Sequence, residues 1–314
     1  MKQANEVILL QDIKYTELVF KLRFLEDVKL PKYKTSMLNG ALLSILSNLY
    51  CINNKKCKEC NITSRCIIQR LLGSNYDAQI PLILQDTDIY PYYIVNCKNE
   101  RTNFIKYQEL IFSIKLIDYA IDYISQFIYA FELLGEVGLG RIKAKYELIG
   151  VYDDKGQPIF EEGILYESNI NVKSIIDYVN RRRESIHGQI SLEFLTPYVI
   201  DKKYSRQSNY NINNIYFSVI NRLTSLNFLN ENDKKLLFLL PNSGIISEFS
   251  LSIIKRNYPI KEKNQDEVII GFKGKVCFIK EADKYLDFLL ACENLSIGAY
   301  ILLGYGNLII KGEG

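Results

Sequence analysis

The first periodic stretch is TELVFKLRFL at 16–25, where Leu18, Phe20, Leu22 and Phe24 occupy every second position. A period of two belongs to a strand with one buried face. Over 34–50 the spacing changes. Met37, Leu38, Ala41, Leu42, Ile45, Leu46 and Leu49 recur every three or four positions, which predicts a helix with Thr35 or Ser36 as its cap. IYPYYIVN (89–96) and KYQELIFSIKLI (106–117) are rich in β-branched and aromatic residues and predict two more strands. Ile121, Ile124, Ile128, Phe131 and Leu134 then mark one face of a helix over 118–134 that Gly135 should stop. RIKAKYELIGV, from 141, predicts a closing strand. The order β-α-β-β-α-β is the ferredoxin-like (RRM-like) motif.

The second half follows the same plan. DDKGQ at 153–157 predicts a mobile connection with a hairpin, and a short helix over 172–183 ends in Arg181, Arg182 and Arg183. QISLEFLTP (189–197) predicts a strand, YFSVINRLTSL (216–226) a helix and EVIIGFKGKVCFI (267–279) a long strand; a helix over 283–292 and a strand over 305–311 follow. Gly138-Leu139-Gly140 precedes the last strand of the first half, and Gly304-Tyr305-Gly306 that of the second. An internal duplication is the economical explanation. The expected fold is therefore α+β, with tandem ferredoxin-like domains at 1–152 and 188–314 and a connecting segment at 153–187.

Length agrees with that division, since 314 residues suit two domains of about 150 each. With 48% hydrophobic and 24% charged residues the chain can bury a real core, which excludes global disorder. No apolar run approaches the roughly 18 residues of a membrane span, and the start of the chain lacks the uninterrupted core of a secretory signal. A cytoplasmic location is expected. Net charge is only +3, which excludes a strong uniform field but allows local basic patches that neutralise phosphates.

A GxG turn lets main chain take positive φ and lets a phosphate approach backbone N–H groups. Gly138 and Gly140 are followed by Arg141, Lys143 and Lys145, which at a spacing of two would share one face of a strand. Gly298, Gly304 and Gly306 surround the second turn, and Lys202 and Lys203, beside Tyr204, are further candidates for holding phosphate. His187 is the sole histidine, so it alone has an unperturbed pKa near neutrality; a solvated connector histidine is the plainer reading.

Seven cysteines in a reducing compartment point to metal or catalysis before disulfides. Cys51, Cys57, Cys60 and Cys66 are spaced C-x5-C-x2-C-x5-C, a set of four soft ligands that suits structural zinc or a 4Fe–4S cluster. Zinc is favoured, because a structural role needs no redox chemistry. A metal would order this insertion between the first helix and the second strand, and Lys55, Lys56, Lys58 and Arg65 give it a basic surface. Cys97, Cys277 and Cys292 are expected as small buried apolar residues.

Four stretches carry a resemblance that spans nearly the whole chain: ELLGEVGLGRIKAKYELIGV (132–151), SLEFLTP (191–197), IIGFKGKVCF (269–278) and LSIGAYILLGYGNLII (295–310). In that order they resemble the CRISPR precursor-RNA-processing endoribonucleases of the RAMP superfamily, and the cysteine run at 51–66 resembles one branch of it. The resemblance implies a protein that binds CRISPR repeat RNA and cuts it without a metal ion, the ribose 2′-OH attacking the adjacent phosphate. Its expected partners are repeat RNA or the mature guide and other CRISPR effector subunits, with no membrane and no DNA substrate. The family pattern places a histidine two residues before the first glycine of the last loop and a lysine after it; here those positions are Ser296 and Ala299. The basic residue usual after the Thr-Pro pair is also replaced, since Tyr198 and Val199 follow Thr196-Pro197. Ser296 joins His187 as a weak catalytic candidate, and the alternative is a non-catalytic subunit that holds guide RNA in an effector complex.

Overall fold

Alternation in the first strand is realised as an apolar face: Leu18, Phe20, Leu22 and Phe24 of β1 (Lys14–Phe24) are all fully buried. This description is of a computed structural model and covers residues 11–73, 75–85, 88–202, 213–229, 246–260, 265–278 and 285–313. The chain divides into two compact units, one of residues 14–173 with 300–304, the other of 1–13, 174–299 and 305–314.

In the first unit β1 is followed by α1 (Thr35–Tyr50), α2 (Ile67–Leu72), β2 (Tyr93–Asn96), β3 (Glu109–Ile117), α3 (Ile124–Val137), β4 (Tyr146–Tyr152), β5 (Pro158–Glu161) and β6 (Ile164–Leu165). The strands lie in the order β2-β3-β1-β4-β5-β6, and every pair along that path is antiparallel. Phe20 stacks on Phe112 at 5.2 Å, and Phe131 of α3 meets both rings at 5.0 Å. Each such buried phenyl ring contributes about 2–3 kcal/mol.

Three boundaries differ from expectation, each for a local reason. Helix α1 takes no cap from Thr35 or Ser36: Lys34 holds the cap position, and its buried ammonium donates to the carbonyls of Asn99 (2.8 Å) and Arg101 (2.6 Å). Burial lowers the pKa of that lysine. Helix α3 runs through Gly135, because a Cβ there would lie 2.5 Å from the carbonyl oxygen of Tyr146; the glycine lets helix and strand approach rather than stopping the helix. Segment 153–157 forms a tight ordered turn into β5, in which the Asp153 carboxylate accepts the N–H groups of Lys155 (2.9 Å) and Gln157 (2.7 Å).

The second unit contains α4 (Ile175–Glu184), β7 (Gln189–Phe194), α5 (Asn213–Ser225), β8 (Ile246–Ile260), β9 (Gln265–Phe278), α6 (Leu286–Cys292) and β10 (Leu308–Glu313). Its sheet has the order β8-β9-β7-β10, again antiparallel throughout. Strand β8 is absent from the sequence-based expectation; it pairs with β9 over fourteen register positions, Ile246↔Phe278 to Ile260↔Gln265. Numbered within its own unit, each sheet then reads second-third-first-fourth. Ser174 caps α4, its hydroxyl accepting the N–H of Asp177 at 3.0 Å. Cys277 and Cys292 are buried as expected, whereas Cys97, just past the end of β2, is half-buried. Among the described residues no helix is long and apolar enough to cross a membrane.

Candidate nucleic-acid interface

The two glycine turns differ in place and in burial. In the first, Gly138 ends α3 with φ +94° and donates its N–H to Leu134 at 2.7 Å. Leu139 and Ala144 exchange both backbone hydrogen bonds (2.8 and 3.0 Å), so 140–143 form a four-residue tip. Gly140 (φ +72°) and Lys143 (φ +55°) supply its left-handed corners. Arg141, Ile142, Lys143 and Lys145 are exposed. Strand β4 starts only at Tyr146, so Arg141 and Lys143 stand on the tip of a turn and not along a strand face.

That tip is tied to two neighbouring segments. Leu25 donates its N–H to the carbonyl of Lys145, and Lys145 donates its own to Glu26 Oε1, both at 3.0 Å. On the other side of β1, Tyr107 donates its N–H to the carbonyl of Phe24 (2.8 Å) and Lys106 to Asp27 Oδ1 (2.7 Å). Residues 106–108, expected within a strand, form a turn ahead of β3. Lys106 and Tyr107 were not singled out by sequence reasoning; a cation beside an aromatic was their only signal. A depression of about 720 Å3 next to this edge is lined by Glu132, Glu136, Glu147, Glu161 and Glu162 against Arg23 and Lys145. Its acidic balance repels phosphate, so the basic edge and not the hollow suits an anion.

The second turn is interior. Leu295, Ile297 and Ala299 are completely buried and Ser296 nearly so. Ile297 donates its N–H to the carbonyl of Gly306 (3.0 Å), Gly306 to Pro197 (2.9 Å) and Ala299 to Val199 (2.9 Å). A Cβ on Gly298 would meet the Val199 oxygen at 2.3 Å, one on Gly304 the Thr35 side chain at 2.9 Å, and one on Gly306 the Ile297 oxygen at 1.9 Å. These glycines make room for the chain itself. Ser296 donates its hydroxyl to Asn307 Oδ1 (2.9 Å), whose backbone N–H donates to Thr196 Oγ1 (2.9 Å). Tyr198 is buried and stacked on Phe194 at 4.8 Å.

His187 is exposed between α4 and β7, its backbone packed where a side chain on Gly312 would otherwise sit. Arg182 makes two bonds of 2.9 Å to the carboxylate of Glu293, which also accepts from Tyr178 (2.5 Å) and the Ile310 N–H (2.7 Å). Burial and that carboxylate push the Tyr178 hydroxyl pKa up. Arg183 pairs with Asp287 at 2.5 Å. Lys202 is half-buried, and Lys203 and Tyr204 lie outside the described residues.

The cysteine segment consists of tight turns. Cys51 ends α1, and its Sγ accepts the Lys55 N–H at 3.1 Å. The Cys60 N–H closes on Cys57 and the Cys66 N–H on Thr63, each at 3.2 Å. All four thiols are half-buried. Four thiols, one already accepting an amide N–H, suit a soft metal chemically. Among the described residues, however, no three of His, Cys, Asp and Glu are gathered to hold an ion.

Fold and edge together define two tandem antiparallel α/β units of one strand order, a Cas6-like fold. A Cas6 product complex aligns with TM-score 0.55 at 16% identity, covering 94% of this chain and 99% of that one. Thermus thermophilus Cas6 aligns with TM-score 0.51 at 15% identity over 95% and 98%. A chain of a partial Cas6-RT-Cas1–Cas2 complex aligns with TM-score 0.53 at 10% identity; 96% of this chain matches 46% of that longer one. A family model described as AF_1859_N, N-terminal domain, matches residues 13–174, more than half of the chain, and the chain belongs to that family. No curated protein matches the sequence significantly.

Proposed function

We propose that the protein binds the repeat RNA of a CRISPR transcript and processes it, as a Cas6-like member of the RAMP superfamily. The observation that carries this reading is the second-third-first-fourth strand order of both sheets, in a chain similar along 94% of its length to a Cas6 product complex. We read both units as ferredoxin-like on that order. Arg141 and Lys143 at the exposed glycine turn hold phosphate, whereas Gly298, Gly304 and Gly306 serve the fold. Cleavage is by attack of the ribose 2′-OH, which needs a base, an acid for the leaving oxygen and cations around the phosphate, and no metal ion. CRISPR proteins are the expected partners. The four cysteines hold a structural zinc that draws the turns at 51–66 together; metal analysis of the purified protein tests this, and a brown, visibly absorbing preparation would assign an iron–sulfur cluster instead.

A second reading, a subunit that holds guide RNA without cutting it, is favoured by one observation. Ser296 and Ala299 stand where the family pattern has a histidine and a lysine; both are buried, and the serine hydroxyl is engaged by Asn307. Incubation of the protein with repeat RNA in EDTA separates the readings. The expected result is a cut that leaves a cyclic phosphate and is blocked by 2′-deoxy substitution at the scissile nucleotide. Binding without a cut establishes the second reading, and absence of binding removes both. A full cleavage rate in His187→Ala would exclude that residue from the mechanism.

A further inference from the structure

At one end of the first unit's sheet three segments meet, and what they expose is not what a solvated edge exposes. Strand β1 lies between β3 and β4 and runs antiparallel to both, so its last residues share an edge with the turns that open β3 and β4. The backbone bonds of Phe24 to Tyr107 and of Leu25 to Lys145 lock the three together. Tyr107 is 63% exposed, Ile105 61% and Leu25 43%, in segments fixed by main-chain hydrogen bonds. Scattered single apolar residues on a surface need no explanation, but a contiguous group on a rigid edge marks an interaction site.

Tyr107 carries a second anomaly. Its φ is +71°, a region that costs a bulky side chain energy and that asparagine or glycine would occupy more cheaply. Strain of this kind, held by surrounding hydrogen bonds, is concentrated at functional positions. The Lys106 ammonium stands 4.8 Å from the Tyr107 ring centroid. Asp27 and Glu26 each accept a backbone N–H, which ties those carboxylates to the framework, and the Lys145 ammonium donates to the Glu136 carbonyl, while Lys106 and Lys143 extend the positive side of the edge.

We infer that this edge is a stacking platform for unpaired RNA, with the Tyr107 ring carrying one base and Lys106 and Lys143 holding the phosphates on either side. The assignment rests on the RNA-binding reading above. Charge decides against a protein partner: an apolar protein patch does not need cations interleaved with the aromatic, whereas a single strand needs both.

The test measures anisotropy of a fluorescein-labelled single-stranded RNA of mixed sequence over a series of salt concentrations. Tyr107→Asn, which suits the left-handed backbone, should weaken binding roughly tenfold by losing one stacked base. Because stacking releases no counterions, the salt slope should stay that of the parent protein, and Tyr107→Phe should bind as the parent does. Irradiation with RNA containing 5-iodouridine should link a base to Tyr107. Parent-like affinity of Tyr107→Asn together with no link at 105–107 would overturn the platform while leaving RNA binding intact, and would hand the edge to a protein partner. No binding by the parent protein would remove the RNA-binding reading and the platform with it.

Discussion

Two turns with the same Gly-x-Gly spelling differ in burial. Around Gly138 the backbone folds into a tip whose charged side chains are exposed; around Gly304 the neighbouring residues are buried, Gly298 and Gly306 making room for other main chain and Gly304 for the Thr35 side chain. The basic residues follow the same division. Arg182 and Arg183 of the second unit are consumed in ion pairs with Glu293 and Asp287, whereas Lys143 of the first is exposed on a turn. A glycine motif therefore reports only that backbone comes close to something, which at Gly138 is the Lys143 carbonyl and at Gly306 that of Ile297; burial separates the two turns by what their side chains leave open to solvent.

Substitution by alanine should rank the glycines by what the new Cβ meets. Gly306→Ala is the most damaging, since φ is +78° and the Cβ would lie 1.9 Å from the Ile297 oxygen inside a packed loop; a loss of about 4 kcal/mol or more is expected in urea unfolding. Gly138→Ala meets the Lys143 oxygen at 2.2 Å, but the exposed tip can shift, so about 2 kcal/mol is expected. Gly140→Ala approaches only the flexible end of Met37 at 3.0 Å and should cost about 1 kcal/mol, the strain of φ +72° itself. Equal costs at Gly306 and Gly140 would break the distinction between the two turns.

The arginines sharpen it from the other side. Glu293 is only 4% exposed, so Arg182→Met removes the counter-charge of a buried carboxylate that keeps only the Tyr178 hydroxyl and the Ile310 N–H, and should cost about 3 kcal/mol. Arg183→Met removes an exposed pair and should change stability by about 0.5 kcal/mol or less. Both are read from the urea midpoint at constant slope.

Strands with one covered face were legible because burial imposes a period of two: β1, β3 and β7 fall within a few residues of expectation. Strand β8 was not, because ISEFSLSIIKRNYPI mixes polar and apolar residues on both faces, as a hairpin with exposed sides permits; Ile253 is 62% exposed. Gly135 misled because a helix-stopping glycine and a glycine admitting a neighbouring strand are spelled alike. The candidate site was half legible. Arg141 and Lys143 are proposed from their charge beside a turn, but Tyr107 is brought to the same end of the sheet only through strand pairing, and a spacing of more than thirty residues carries no trace of that. Nor could the spelling at 295–306 say that its glycines are buried, since burial depends on distant partners such as Val199 and Pro197.

The smallest effect on stability is expected where the effect on function is clearest. Arg141→Ala with Lys143→Ala changes only exposed side chains on a tip, and neither position gains a β-branched residue at positive φ, so the unfolding midpoint should move by no more than about 0.5 kcal/mol in energy. Binding of single-stranded RNA should respond differently. Each cation that neutralises a phosphate contributes about 0.7 to the slope of log affinity against log salt, so losing two should flatten it by about 1.4. Affinity should fall most at low salt and converge on the parent value as salt rises, the opposite of the salt-independent loss expected for Tyr107→Asn. A double variant with an unaltered slope would mean that the exposed turn holds no phosphate and that the RNA runs elsewhere on the molecule.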